Sequence, residues 1–260
     1  MESILTYLLI GLLQGVLEWL PISSQGNLVI LMTVFLGLES SQALDLSVFI
    51  HLGTGLAALV YFRREVVDIL LRRSERDRGL FSFLLVTTIM TGVIGLPLYV
   101  FTKSASFYGD ALLILTGVAL LVTGVVQRRA KVLGVKSSES LDPKEGIALG
   151  FSQGLSALPG LSRSGLTTSV LLFKGFSGAE AFRISFLMSI PAVFAAAAGL
   201  IVIEGMPPLG VGVLLSILAS FISALLTIDL LLKLARRIRF WSLCIVLGLI
   251  ALLPQALNLL

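Results

Sequence analysis

The 260-residue chain reads as an all-α, polytopic integral membrane protein, with six transmembrane helices plus two re-entrant helical hairpins in an inverted-topology repeat. Three observations predict this. First, 57% of the residues are hydrophobic and only 13% are charged, where a soluble domain carries about 25% charge. Second, the basic residues gather in three clusters separated by loops that are nearly free of them. Third, one short polar pattern occurs twice inside apolar sequence.

The mean hydropathy is +1.03, and apolar stretches of about 20 residues recur along the chain, as spanning helices require. The expected spans are 45–62, 80–102, 111–127, 178–203, 209–233 and 241–259. Basic clusters lie at Arg63 to Arg78, Arg128 to Lys144 and Lys233 to Arg239. The intervening loops, 37–44, 103–110 and 204–208, hold few cations. The positive-inside rule places the clusters in the cytoplasm and the other loops outside. The net charge of +4 sits in short loops between spans and is no argument for nucleic acid. Met1 to Tyr7 carries no basic n-region and no small-residue cleavage site follows, so no removable signal peptide is expected. Cys244 is the single cysteine and lies in an apolar run, where it reads as a buried small hydrophobe.

Segments 3–36 and 145–176 remain, and each holds two apolar stretches around a break. The first copy of the pattern runs Gly11, Gln14, Gly15, Glu18, Pro21, Ser23, Ser24, Gly26. The second runs Gly150, Gln153, Gly154, Pro159, Ser162, Arg163, Ser164, Gly165. Irregular backbone at membrane depth survives only where it lines a polar cavity or is buried in protein. Two such broken segments at matching positions in two halves point to a central site. Read as re-entrant pairs, the first enters from outside and the second from the cytoplasm. The chain then divides into a first repeat, 1–135, a cytoplasmic linker, 136–144, and a second repeat, 145–260, within one membrane domain.

Glu18 is the first candidate for chemistry, because an intramembrane carboxylate is costly and marks function by default. Gln14, one helical turn earlier, shares its face, and the pair suits a metal-ligand or general-base role. Ser23 and Ser24 follow the break at Pro21, where hydroxyls cap helices and backbone N–H groups face an anion. Either serine becomes a nucleophile if a neighbour takes its proton. Arg163, flanked by Ser162, Ser164 and glycines, is the strongest anion signal, since its planar fork binds phosphate oxygens in pairs. No Gly-Lys-Ser/Thr follows it, so the segment is no Walker A loop. His51, the sole histidine, lies inside a span and reads equally as an acid/base group or as a cross-helix hydrogen-bonding group. Arg183 opens a span near the cytoplasmic face, either snorkelling to the interface or supporting the second hairpin. No cluster has metal-cage spacing, so a metal would be held jointly with substrate phosphates.

At these residues the chain resembles the undecaprenyl-diphosphate phosphatase family, the bacitracin-resistance membrane proteins. The likeness rests on Gln14 to Glu18, on Pro21 to Asn27, and on the long match from Pro159 to Thr167. The Phe49 to Phe62 and Ser185 to Pro191 stretches also fit. The resemblance implies interlocked inverted repeats. It also implies hydrolysis of a polyprenyl diphosphate to the monophosphate and inorganic phosphate. That chemistry would occur in an extracytoplasmic-facing cavity of a multi-pass plasma-membrane protein. A divalent cation, Mg²⁺ or Ca²⁺, would be bound with the substrate. The polyprenyl diphosphate and the bilayer are the implied partners, and a homodimer is compatible with the family.

By position, Glu18 and Gln14 would serve the cation and proton transfer, and Ser24 would be the nucleophile with Ser23 beside it. Ser162, Arg163, Ser164 and Thr167 would bind the diphosphate, with Asn27 at its edge. One departure matters: Asn27 stands where the family usually has His. The proton then goes to Glu18, or to His51 from a neighbouring span, or activity falls. The competing reading is a polyprenyl-phosphate flippase without hydrolysis, which needs Arg163 but no nucleophilic Ser24.

Overall fold

A computed structural model describes residues 4–20, 22–105, 109–129, 136, 141–205 and 210–235, with 241, 242, 245, 246, 248, 249 and 252 beyond them. Pro21, Cys244 and most of the span expected at 241–259 therefore lie outside the described residues. The described residues fold into ten α-helices with one short 3₁₀ turn and no strand beyond a single bridge pair.

The first broken segment is α1 (Ile4–Leu17) followed by α2 (Ser24–Leu36). Both helices are shorter than the ~20 residues that cross a bilayer. The Ser23 hydroxyl caps α2 by accepting from Gly26 N at 3.2 Å, as the sequence predicts for a hydroxyl just before a helix. Gly37 ends α2 in the left-handed region at φ 64°, which costs glycine nothing. Next come α3 (Ser40–Tyr61), a short α4 (Arg63–Leu71), α5 (Glu75–Ala105) and α6 (Gly109–Arg129). The sequence reading treats Arg63 to Arg78 as loop. Its first nine residues are helical as α4, which buries Ile69 and leaves Leu70 and Leu71 exposed, and its last four open α5.

The second broken segment is α7 (Pro143–Gly154) and α8 (Arg163–Phe173). Pro143 starts α7 inside the stretch read as linker, because a proline at the first helical position has no N–H to leave unpaired. Asp142 caps this helix through Glu145 N at 2.8 Å, and Ser162 caps α8 through Gly165 N at 3.1 Å. The long helices α9 (Gly178–Glu204) and α10 (Val211–Ala235) follow. Among the described residues four helices are long and apolar enough to cross a membrane: Ser40–Tyr61, Glu75–Ser104, Gly178–Glu204 and Val211–Leu230. The chain is accordingly a multi-pass membrane protein.

The halves exchange partners. α1 packs most extensively on α10, and α7 on α5, so the first helix of each broken pair lies against a long helix of the other half. Glycines at four-residue spacing make both approaches close. A Cβ on Gly15 would fall 2.5 Å from Ser220 O, and one on Gly150 would fall 2.6 Å from Met90 Cβ and Thr87 O. Small residues at this spacing let helix backbones approach in membranes. The main core joins Trp19 and Ile22 to Leu149, Leu171 and Phe186. Trp19 donates its indole N–H to Ala224 O at 3.0 Å and meets Phe186 edge-on with centroids 5.0 Å apart.

Ion pairs tie the helix ends. Glu65 on α4 pairs with Arg183 on α9 and lies 3.4 Å from Arg76. Arg183 thus ties α9 to α4 and also pairs with Glu180 on its own helix. At the opposite ends, Lys103 bridges Asp45 and Glu204, each at 3.0 Å, and Tyr99 donates to Asp45.

Candidate functional site

The two breaks meet. Ser23 Oγ, already capping α2, also accepts from Gly160 N at 2.9 Å, and Ser164 Oγ donates to Leu20 O at 3.1 Å. These bonds join the junctions over one cavity of about 390 Å³. Glu18, Ser24, His51 and Arg163 all line it, as do Ser23, Ser162 and Ser164.

The carboxylate of Glu18 is buried and organises this group. Its Oε2 accepts from Ser24 Oγ at 2.7 Å and from Gln14 Nε2 at 3.1 Å. Its Oε1 accepts from Arg163 Nη2. His51 Nε2 lies 3.3 Å from Glu18 Oε2 and 3.3 Å from Ser24 Oγ. The other ring nitrogen, Nδ1, is 2.6 Å from the Ser47 carbonyl. A carbonyl oxygen only accepts, so Nδ1 carries a hydrogen, and in the neutral ring Nε2 is left as an acceptor. The Ser24 hydroxyl therefore faces two proton acceptors, a carboxylate and an imidazole nitrogen.

Arg163 is the first residue of α8 and Ser24 the first of α2, each following a capping serine. The repeat thus places a hydroxyl and a guanidinium at matching positions. Arg163 donates Nη1 to Ser185 O at 3.1 Å and stacks 5.7 Å above the Phe186 ring. Its charge is held between a carboxylate and a carbonyl, aimed along the cavity wall. An arriving phosphate would meet a fork already oriented and would compete with Glu18 for it.

Three expected site residues lie apart from the cavity lining. Asn27 donates Nδ2 to Ser23 O at 2.8 Å, within its own helix. Thr167 is fully buried, donates to Arg163 O at 2.8 Å and touches Ser185 Oγ at 2.6 Å. It supports the helix that carries Arg163. Gln14 is packed beneath Glu18, and its Oε1 has no hydrogen-bond partner.

Sequence reasoning missed the backbone carbonyls of Ser47 and Ser185, which orient His51 and Arg163; no side-chain pattern announces a carbonyl. It also missed Thr88, Thr91 and Gln153, which line the same cavity. Only Gln153 had a signal, its place in the second copy of the repeat.

From this polar end the cavity runs outward between α5 and α9. Gly92, Gly95, Leu96 and Tyr99 face Ala192, Val193, Ala196 and Gly199 there. Thr88 to Tyr99 is a rise of roughly 16 Å at 1.5 Å per residue. The cavity therefore joins a charged pocket to an apolar groove.

The family model described as "Bacitracin resistance protein BacA" matches residues 7–251. The chain is 40% identical to an undecaprenyl-diphosphatase of Methanococcoides burtonii, over 99% of this chain and 100% of that protein. It is 39% identical to one of Haloarcula marismortui, over 95% and 96% of the two. A third, of Methanothrix thermoacetophila, is 38% identical over 96% of each. The paired breaks, the arginine-bearing junction and these full-length likenesses agree: the chain belongs to the bacitracin resistance protein BacA family.

Proposed function

We propose that this protein hydrolyses a membrane polyprenyl diphosphate, of undecaprenyl type, to the monophosphate and inorganic phosphate. The reaction returns a lipid carrier to surface-glycan or cell-wall synthesis. It is the activity for which the relatives are named. The observation that carries it here is Ser24, held at 2.7 Å from Glu18 and 3.3 Å from His51, with Arg163 on the same carboxylate. The apolar groove between α5 and α9 suits the first isoprene units of a tail that never leaves the bilayer.

In this reading Ser24 Oγ attacks the terminal phosphorus and its proton passes to His51 Nε2 or Glu18. The bond from phosphorus to the bridging oxygen breaks, and the polyprenyl monophosphate leaves. Water then cleaves the phosphoserine and releases phosphate. Arg163 binds the equatorial oxygens where charge gathers in the transition state. Ser162 and Ser164 line the same end of the cavity. Asn27 takes no part, and His51 supplies the imidazole that the family's motif places there.

The oxygen set fits a hard divalent cation, Mg²⁺ or Ca²⁺, completed by substrate phosphates and water. The carboxylate of Glu18 would hold it, with Gln14 behind it donating Nε2 to Oε2 at 3.1 Å. Bound there, the cation would neutralise phosphate charge. Among the described residues no group of three or more His, Cys, Asp or Glu side chains could hold a metal alone.

Membrane placement follows the same reading. The short pairs α1/α2 and α7/α8 are re-entrant, and six spans complete an inverted repeat divided at the linker. The arginines around α4 face the cytoplasm and the Asp45, Lys103, Glu204 end faces outside the plasma membrane.

The test is phosphate release from a long-chain polyprenyl diphosphate by purified protein, with and without Mg²⁺ or Ca²⁺. Release should depend on the cation. It should fall at least ~100-fold in Ser24→Ala and in Arg163→Ala, the scale of a lost catalytic group. Full turnover in Ser24→Ala would reassign the nucleophile. No release from folded wild-type protein would leave lipid flipping as the better reading.

A further inference from the structure

Helix α4 sits between the ends of two membrane-crossing helices, Ser40–Tyr61 before it and Glu75–Ser104 after it. It therefore lies where the chain meets the bilayer surface. Val66 and Ile69 turn inward to the main core. Val67, Leu70 and Leu71, three and four residues apart, share another face and are 46%, 60% and 61% exposed. Arg63 and Arg64, one turn before Val67, begin the same face and are exposed too. Apolar side chains and arginines together on an exposed helix face suit a membrane interface.

The charges on this stretch do not balance. Between Arg63 and Arg78 there are six arginines and four carboxylates, and every carboxylate is committed. Glu65 pairs with Arg183 and Arg76, Asp68 with Arg73 at 2.6 Å, and Glu75 with Arg78. Asp77 accepts from the Ser74 hydroxyl at 2.7 Å and from Ser74 N at 3.1 Å. Arg63, Arg64 and Arg72 are left without an ion pair among the described residues. Arg63 donates to Val60 O at 3.0 Å, and Arg72 stacks 4.1 Å over the Phe81 ring.

Arg63 and Arg64 also open onto a depression. Tyr61, Phe62, Arg63, Arg64 and Glu65 line it, with about 420 Å³ of room. Glu65 is already neutralised there, and Tyr61 donates to Asp229, a single carboxylate against three unpaired arginines. None of these residues lines the cavity that holds Glu18 and Arg163. A guanidinium binds phosphate oxygens in pairs, and basic groups beside a membrane-crossing helix attract anionic lipids. We propose that α4 is a docking face for an anionic phospholipid of the surrounding bilayer. Arg63 and Arg64 take the phosphate head in the depression, Arg72 adds positive charge at the far end of the helix, and Val67, Leu70 and Leu71 lie against the acyl chains. This rests on the chain being a multi-pass membrane protein and does not need the phosphatase reading.

The experiment places the full-length chain carrying Leu70→Trp in phosphatidylcholine vesicles. These are made with increasing brominated phosphatidylglycerol or, separately, brominated phosphatidylcholine. The readout is quenching of tryptophan emission, less that of Trp19 and Trp241 measured on the chain without Leu70→Trp. Brominated phosphatidylglycerol should reach half-quenching at a mole fraction about fivefold lower, the effect of one arginine near an anionic surface. Arg63→Gln/Arg64→Gln/Arg72→Gln should abolish that difference, and the matching lysine variant should keep it. If the triple glutamine variant fails to fold, Arg64→Gln alone should shrink the difference. Equal quenching by the two lipids, or a preference that survives the glutamine changes, would overturn the proposal. Quenching by neither lipid would overturn it as well and leave this face to a second copy of the chain.

Discussion

Glu18 carries two burdens at once, holding the Ser24 hydroxyl and neutralising Arg163. Removing one member of a buried ion pair leaves an uncompensated charge, which costs about 3–5 kcal/mol, whereas removing both is far milder. Arg163→Ala should therefore lower the unfolding midpoint in detergent more than the double variant Glu18→Gln/Arg163→Ala does. Both should be inactive. A double variant no more stable than Arg163→Ala would show that the pair is not coupled in the folded protein. At the motif position where the family usually has His, Asn27 serves its own helix through Ser23 O, and His51 stands beside Ser24 instead. Asn27→His should thus leave phosphate release near the wild-type rate, while His51→Gln should abolish most of it. A large gain in Asn27→His would return the proton transfer to that position. Glu18, Ser24 and Arg163 were legible in the sequence because charged and hydroxyl groups are anomalous at membrane depth. The choice between the two roles open to His51 was not, because its distance from Ser24 depends on how α3 packs against α2.

The decisive elements are the four short helices. Their breaks were readable from capping serines and glycines, since caps are local chemistry. Their partners were not. α7 lies along α5, and Gly150 sits where a side chain would strike Met90 and Thr87. Gly150→Leu should destabilise the fold by about 1–3 kcal/mol or more, the range for overpacking a tight contact. Thermal unfolding in detergent reads this directly, and an unchanged midpoint would mean that the two helices do not meet so closely. The same contact sets Gln153 against Thr91. Helix α4 was missed because a run rich in arginine lacks the apolar length of a span. It forms because Val66 and Ile69 reach the main core and Glu65 reaches Arg183.

At the scale of the whole molecule, an inverted repeat requires both ends of each short pair to lie on one side of the membrane. In a Cys244→Ser background, an N-terminal tag and Glu39→Cys should both be reached by impermeant reagents from outside, and Lys136→Cys and Lys174→Cys only from the cytoplasm. Labelling of the two ends of one pair from opposite sides would replace the re-entrant reading with a crossing helix. Hydropathy and charge clustering determined the class of this protein and the placement of its breaks, because insertion energy and capping act over a few neighbouring residues. The repeated motif nominated Glu18, Ser24 and Arg163. Only the tertiary structure decided that α1 packs on α10 and α7 on α5, and that His51 lies beside Ser24. Those facts depend on contacts between residues that are 27 positions apart at Ser24 and His51, 62 at Thr91 and Gln153, and 205 at Trp19 and Ala224, beyond the reach of local sequence pattern.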